Sequence, residues 1–106
     1  MKLSIIIPAK NEEGNLEDTI EEINNILLKN NIQHEIIVIN DHSSDATLKT
    51  LNLLKNNICE LKIINNTGKP GYGITVRLGL KNYSGEIIAI MMADGSDSPK
   101  DLIKFY

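Results

Sequence analysis

The chain carries one cysteine, Cys59, in 106 residues. A lone thiol excludes an internal disulfide, and no second Cys or His stands near it at zinc-ligand spacing. A reducing, cytoplasmic setting is the simpler expectation, with Cys59 a small buried hydrophobe. Long hydrophobic runs are also missing. The longest fall far short of a bilayer-crossing length, and Met1-Lys2 leads straight into a strand rather than a signal peptide. The chain reads as soluble, with peripheral membrane attachment left open. Basic excess is absent too: Lys and Arg number 11 against 14 Asp and Glu, for a net charge of -3, so no nucleic acid is expected as partner. Linkers, low-complexity tracts and internal repeats are lacking, and residues 1–106 read as one domain.

What is present is an alternation of greasy runs and amphipathic stretches. Leu3 to Ile7 (LSIII) has the β-branched, two-sided apolar character of a buried parallel strand, with Pro8 expected to end it. A helix follows from about Asn15 to Lys29, its stripe formed by Leu16, Ile20, Ile23 and Leu27. Asn15 with Asp18 resembles a capping box, Glu12, Glu13 and Glu17 suit the positive helix end, and Asn30-Asn31 can supply a left-handed stop. Glu35 to Ile39 (EIIVI) is a second buried strand. Leu48, Leu51 and Leu54 mark a second helix, and Leu61 to Ile64 a third strand. A third helix carries Tyr72, Val76, Leu80 and Tyr83 on one stripe, and Glu86 to Met91 is a fourth strand. Ser98 as N-cap, Pro99 at the first helical position and Asp101 two residues on open a fourth helix. Four strand–helix alternations predict a doubly wound α/β domain: a mainly parallel sheet with helices on both faces.

In such a sheet ligands bind outside the carboxyl ends of the strands. Four polar loops gather there: Pro8 to Glu12, Asn40 to Ser44, Asn66 to Lys69, and Met92 to Asp97. Two phosphate-binding signatures fail. The stretch Gly68-Lys69-Pro70-Gly71-Tyr72-Gly73 is not a P-loop, and Val76 stands where a dinucleotide fingerprint wants a small residue. Its glycines are expected to let the loop turn and helix three approach the sheet. His34 opens the second strand without chemistry, and His42 reads as a hydrogen-bonding loop residue. No Ser-His-Asp set or catalytic carboxylate pair is spaced convincingly.

Four blocks, in order, resemble one family: SIIIPAKNEEGNL (residues 4–16), EIIVINDHSSDAT (35–47), NNTGKPGYGITVRLGLKNYSGEII (65–88) and MMADGSDSP (91–99). Together they are similar to a family 2 glycosyltransferase, nearest in flavour to polyprenyl- or dolichyl-phosphate sugar synthases. The resemblance covers essentially the whole chain. It implies the Rossmann-like nucleotide-binding half of a GT-A fold, and transfer of a sugar from a UDP- or GDP-sugar to an acceptor such as a polyprenyl phosphate, with inversion. By the same resemblance Pro8, Ala9, Asn11 and Glu12 edge the donor's base and ribose, and Asp41 matches the acid expected at the base. Asn40 takes the place of the usual first acid there. Gly68, Lys69 and Arg77 match further family positions, the two cations either offsetting diphosphate charge or lying solvated.

The family's Asp-x-Asp motif after strand four implies Mg²⁺ or Mn²⁺ bridging the two phosphates. Here it reads Met92-Ala93-Asp94. Asp94 keeps the second carboxylate, expected to touch both nucleotide sugar and metal, whereas a thioether at 92 is a soft ligand unsuited to a hard cation. Ser96 and Asp97 are close enough to add oxygens, and Asp97 also suits the start of helix four. Family members continue into an acceptor half that this sequence does not contain. The alternative reading is therefore a non-catalytic nucleotide-binding or interaction module, and the open edge of strand four implies self-association or a partner chain.

Overall fold

The computed structural model describes residues 1–95, 97 and 99–105. Runs of Ile, Val and Leu with little charge form the strands β1 (Leu3–Ala9), β2 (His34–Asn40), β3 (Leu61–Asn65) and β4 (Ile87–Ile90). They pair in parallel in the order β3-β2-β1-β4. The helices between and after them are α1 (Leu16–Lys29), α2 (Thr47–Lys55), α3 (Tyr72–Asn82) and α4 (Pro99–Phe105). The α/β class expected from the alternation is the one observed.

Strand alternation divides the core in two. Ile5, Ile7, Ile36, Val38 and Leu61 face α1, α2 and α4, where Leu16, Ile20, Ile23, Leu27, Leu51 and Leu54 close over them. Burying an Ile or Leu fully contributes about 1.5–3 kcal/mol, so this layer dominates the stability. Ile6, Ile37 and Ile39 face the other way, towards α3, with Ile64 and Leu78 beside them. Helix α3 sits close to the sheet because Gly79 lies on it. A Cβ there would stand 2.5 Å from Ile6 Cγ2 and 3.2 Å from Ile39 Cδ1. The close approach is made by Gly79 and not by the loop glycines, since Gly73 has nothing within 4 Å.

Several expectations are corrected. Pro8 does not end β1, which continues to Ala9. Its missing N–H is tolerated because β4 pairs only as far as Ile6, leaving one side of β1 free beyond that point. Strand β3 runs one residue further, to Asn65, and β4 is shorter than foreseen. Asn15 makes no capping bond; its Nδ2 instead donates to Glu12 Oε2 at 3.3 Å. The stop of α1 is as expected, with Asn31 at φ 56° and Ile32 N–H bonded to Leu27 O. Cys59 is exposed, since it falls in the turn after Ile58 rather than within an apolar face. Helix α3 seats Thr75 and Gly79 on the sheet, leaving Tyr72, Leu80 and Tyr83 largely in solvent. Pro99 opens α4, while the Ser98 cap and the Ser96 oxygen lie outside the described residues.

Candidate functional site

The carboxyl ends of the strands release the chain into loops that hydrogen bonds stitch together. Asn11, at φ 53°, accepts from Ser44 N–H at 2.7 Å on its Oδ1 and donates its own N–H to Ser43 Oγ at 3.0 Å. Asn tolerates this left-handed conformation better than most residues, which is one reason it suits the position. Glu12 N–H donates to Thr47 Oγ1 at 3.0 Å, and Glu13 N–H to Asp45 Oδ2 at 3.4 Å. The Thr47 hydroxyl donates in turn to Asp45 and holds that carboxylate below its usual range. The β1 and β2 loops thus behave as one piece.

Asp41 ties the β2 loop to the β3–α3 loop. Its Oδ1 accepts from Asn66 Nδ2 and its Oδ2 from Gly71 N–H, each at 3.0 Å, and the residue is 7% exposed. His42 adds a second tie, Nε2 lying 2.7 Å from Gly68 O. Gly71 bears φ 141°, a conformation open to glycine and strained for other residues, which lets its N–H turn onto Asp41 as α3 begins. Asn40 lines no part of the cleft. Its Nδ2 donates to Asn65, and its buried Oδ1 has no partner among the described residues.

Between these loops and α3 opens a cleft of about 510 Å³, lined on one side by Pro8, Ala9, Lys10, Glu12 and Asp41 and on the other by Pro70, Gly71, Tyr72, Thr75 and Met92. That volume is within the range of small-molecule sites. Of the residues singled out in the sequence, Pro8, Ala9, Glu12 and Asp41 meet in the cleft. Asn11 and Gly68 serve the loops around it, and Lys69 and Asp94 are exposed outside its lining. Sequence reasoning missed Lys10, Tyr72 and Thr75 as lining residues. Buried Thr75 had a signal, a small polar residue one turn before Gly79 on the face that meets the sheet. The N-terminus of α3 opens into the cleft without a side-chain cap, so its N–H groups present partial positive charge there.

After β4, Met91 and Ala93 are buried while Met92 and Asp94 face outward. Asp97 turns back and accepts from Met92 N–H at 2.8 Å, and Ala93 O accepts from Thr19 Oγ1 at 3.2 Å. No group of three His, Cys, Asp or Glu suited to a metal is found among the described residues. Magnesium-type ions beside phosphates need only one or two carboxylates, the phosphate oxygens completing the shell. Asp94 is one such carboxylate, exposed beyond the cleft lining, so a cation here would have to arrive with a diphosphate rather than find a preformed cage among the described residues.

A parallel sheet with flanking helices and a cleft at its carboxyl rim defines a Rossmann-like α/β domain. The family model described as glycosyl transferase family 2 matches residues 4–106, and the chain belongs to that family. Among curated relatives, it is 35% identical over 104 residues to a dolichol-phosphate mannosyltransferase of Pyrococcus furiosus, covering 98% of this chain and 29% of that protein. The chain thus spans less than a third of that relative's length. Among solved structures, S. aureus TarS 1-349 superposes with a TM-score of 0.79 at 25% identity, over 99% of this chain and 31% of that one. The mannosyltransferase PcManGT from Pyrobaculum calidifontis, in complex with GDP-Man and Mn²⁺, gives 0.73 at 21% identity over 87% and 27%. The domain has the GT-A fold.

Proposed function

We propose that residues 1–106 form the donor-binding domain of a glycosyltransferase and take a nucleoside-diphosphate sugar, with UDP or GDP as the nucleotide, in the rim cleft. One observation carries the reading: in a family 2 chain, Pro8, Ala9, Glu12 and Asp41 converge on one cleft with the uncapped N-terminus of α3 opposite. Glu12 and Asp41 offer acceptor oxygens to a base N–H or ribose hydroxyls. Lys10 and the N-terminal N–H groups of α3 offer positive charge to phosphate. Asp94, with a divalent cation brought by the diphosphate, supports Mg²⁺ or Mn²⁺ as the cofactor. Such a cation supplies charge stabilisation for the departing nucleoside diphosphate. Asn11 and Gly68 act by holding the loops, and Lys69 lies near enough in sequence to Pro70 to serve the same rim.

The acceptor in this reading is a polyprenyl phosphate, supported by the dolichol-phosphate relative. Among the described residues no helix is long and apolar enough to cross a membrane. The reading places these residues at the cytoplasmic surface of the membrane that holds the lipid, a side whose reducing conditions suit exposed Cys59. Transfer itself would require polypeptide beyond these residues, either a partner chain or a continuation. A second reading, nucleotide binding without transfer, is favoured by Met92 at the first position of the metal motif. Calorimetry with UDP, GDP and their sugars, with and without Mn²⁺, tests both. Metal-dependent binding that Asp94→Ala removes supports the donor site; metal-independent binding supports the second reading. No binding at millimolar nucleotide would sink the donor-site reading and favour an interaction module that keeps only the fold.

A further inference from the structure

One wall of the cleft begins as a strap, residues 66–71, that joins β3 to α3. Pro70 and Gly71 line the cleft from the strap, and Tyr72 and Thr75 follow at the start of α3. Residues 67–70 are exposed, so no apolar burial holds them and the position of the strap rests on hydrogen bonds. Most of these bonds run through two residues. Asn66 Oδ1 accepts from Gly68 N–H at 3.0 Å, and Asn66 Nδ2 donates to Lys69 O at 2.7 Å and to Asp41. Asp41 also accepts from Gly71 N–H.

The tie from His42 stands apart. Its Nε2 lies 2.7 Å from Gly68 O, and because a carbonyl only accepts, that nitrogen carries the proton. His42 does not line the cleft, so a ligand there leaves this bond alone. Asp41 does line it, and divides its acceptor oxygens between the strap and any ligand. The backbone of His42 is also unusual, at φ 54° in the left-handed region that residues with a Cβ seldom occupy. Such a conformation persists where surrounding contacts hold it, and for exposed His42 the bond to Gly68 supplies one.

We propose that His42 is a positioning residue for the cleft: it fixes the strap at Gly68, and through the strap the wall that a nucleoside diphosphate meets. This deepens the donor-binding reading and rests on it. When a base N–H or a ribose hydroxyl takes a share of Asp41, the bonds from Asp41 to Asn66 and Gly71 weaken. His42 is then the tie left at full strength. Binding therefore draws on a residue that touches no ligand. Losing one net hydrogen bond of this kind corresponds to roughly two- to tenfold in affinity.

Two amide side chains of different length test this. Asn fits the left-handed backbone at least as well as His, but its Nδ2 falls one bond short of the reach to Gly68 O. Gln carries its Nε2 as many bonds from Cα as His does. In calorimetry with UDP and GDP, His42→Asn should bind more weakly by the factor above, and His42→Gln should recover most of the loss. Amide exchange at Gly71, followed without nucleotide, should quicken in His42→Asn and return towards the unmodified rate in His42→Gln. A role confined to the loop backbone gives the reverse, with His42→Asn at least equal to the unmodified chain in both measurements. Equal affinity in His42→Asn, exchange at Gly71 that ignores the substitution, or a loss that His42→Gln shares in full would each overturn the proposal. If the unmodified chain binds neither nucleotide at millimolar concentration, the donor-site reading fails and takes the nucleotide part of this proposal with it. Exchange at Gly71 then still decides whether His42 fixes the strap.

Discussion

Glu35 should make the fold acid-sensitive by a predictable amount. Its carboxylate lies at the amino end of β2, 2% exposed, where it accepts from Ser4 Oγ and Ser84 N–H at 2.6 Å each and from Lys62 Nζ at 2.5 Å; Lys2 Nζ lies 3.9 Å away. Burial pushes its pKa up, but the bonds from Lys62, Ser4 and Ser84 together outweigh burial and hold it at about 2, against 4.5 for an ordinary glutamate. The sign follows directly. A depressed carboxylate contributes stability above its unfolded pKa and loses it as pH falls from 4.5 towards about 2. At 1.36 kcal/mol per pH unit the gap corresponds to about 3 kcal/mol, an upper value because Lys62 is half exposed and partly screened. Urea midpoints of the unmodified chain and Glu35→Gln, measured from neutral pH down to pH 2, are the assay. The variant should be weaker by about 2–3 kcal/mol at neutral pH and should converge on the unmodified chain in acid. Parallel acid limbs in the two proteins, or an NMR titration of Glu35 centred near 4.5, would refute the reasoning.

Gly79→Ala should cost about 1–3 kcal/mol in urea unfolding, because the new methyl must displace Ile6 and Ile39. Gly85→Ala should cost more, since its Cβ meets Lys2 O at 2.8 Å and Ser4 N at 2.9 Å, main-chain atoms that cannot swing aside; failure to fold is the expected extreme and equal stability would contradict it. Asp41→Asn sets an amide N–H against either Asn66 Nδ2 or Gly71 N–H, and should lower stability by about 1–3 kcal/mol together with the affinity seen by nucleotide calorimetry. In the same experiment Asn11→Ala should lose stability through both its left-handed backbone and the Ser44 bond, with Asn11→Gly recovering only the backbone share.

The strands were legible because β-branched runs leave few alternatives, and α1 because Leu16, Ile20, Ile23 and Leu27 keep a strict helical period. Helix α3 was legible as a helix but not in its orientation. Hydrophobic periodicity identifies the apolar side, yet Gly79 decided the buried side, because only a residue without a Cβ allows the backbone so near Ile6. Pro8 misled for a related reason, as its tolerance depends on where the neighbouring strand ends and not on its own preferences. At the cleft, the loops that would gather followed from the alternation of elements. Which side chains face it did not, because Asn11 and Gly68 are drawn into bonds with loops distant in sequence.

The double engagement of Asp41 gives one carboxylate two structural bonds. A carboxylate has roughly four acceptor positions, and Asn66 and Gly71 occupy one on each oxygen, so a nucleotide bound at Asp41, as proposed above, would share that acceptor with the bonds that set the start of α3. Recognition and loop order would then be thermodynamically linked. Substitutions at Asn66, which lines no part of the cleft, then become a natural means of tuning ligand preference at a distance, leaving every cleft-lining side chain unchanged.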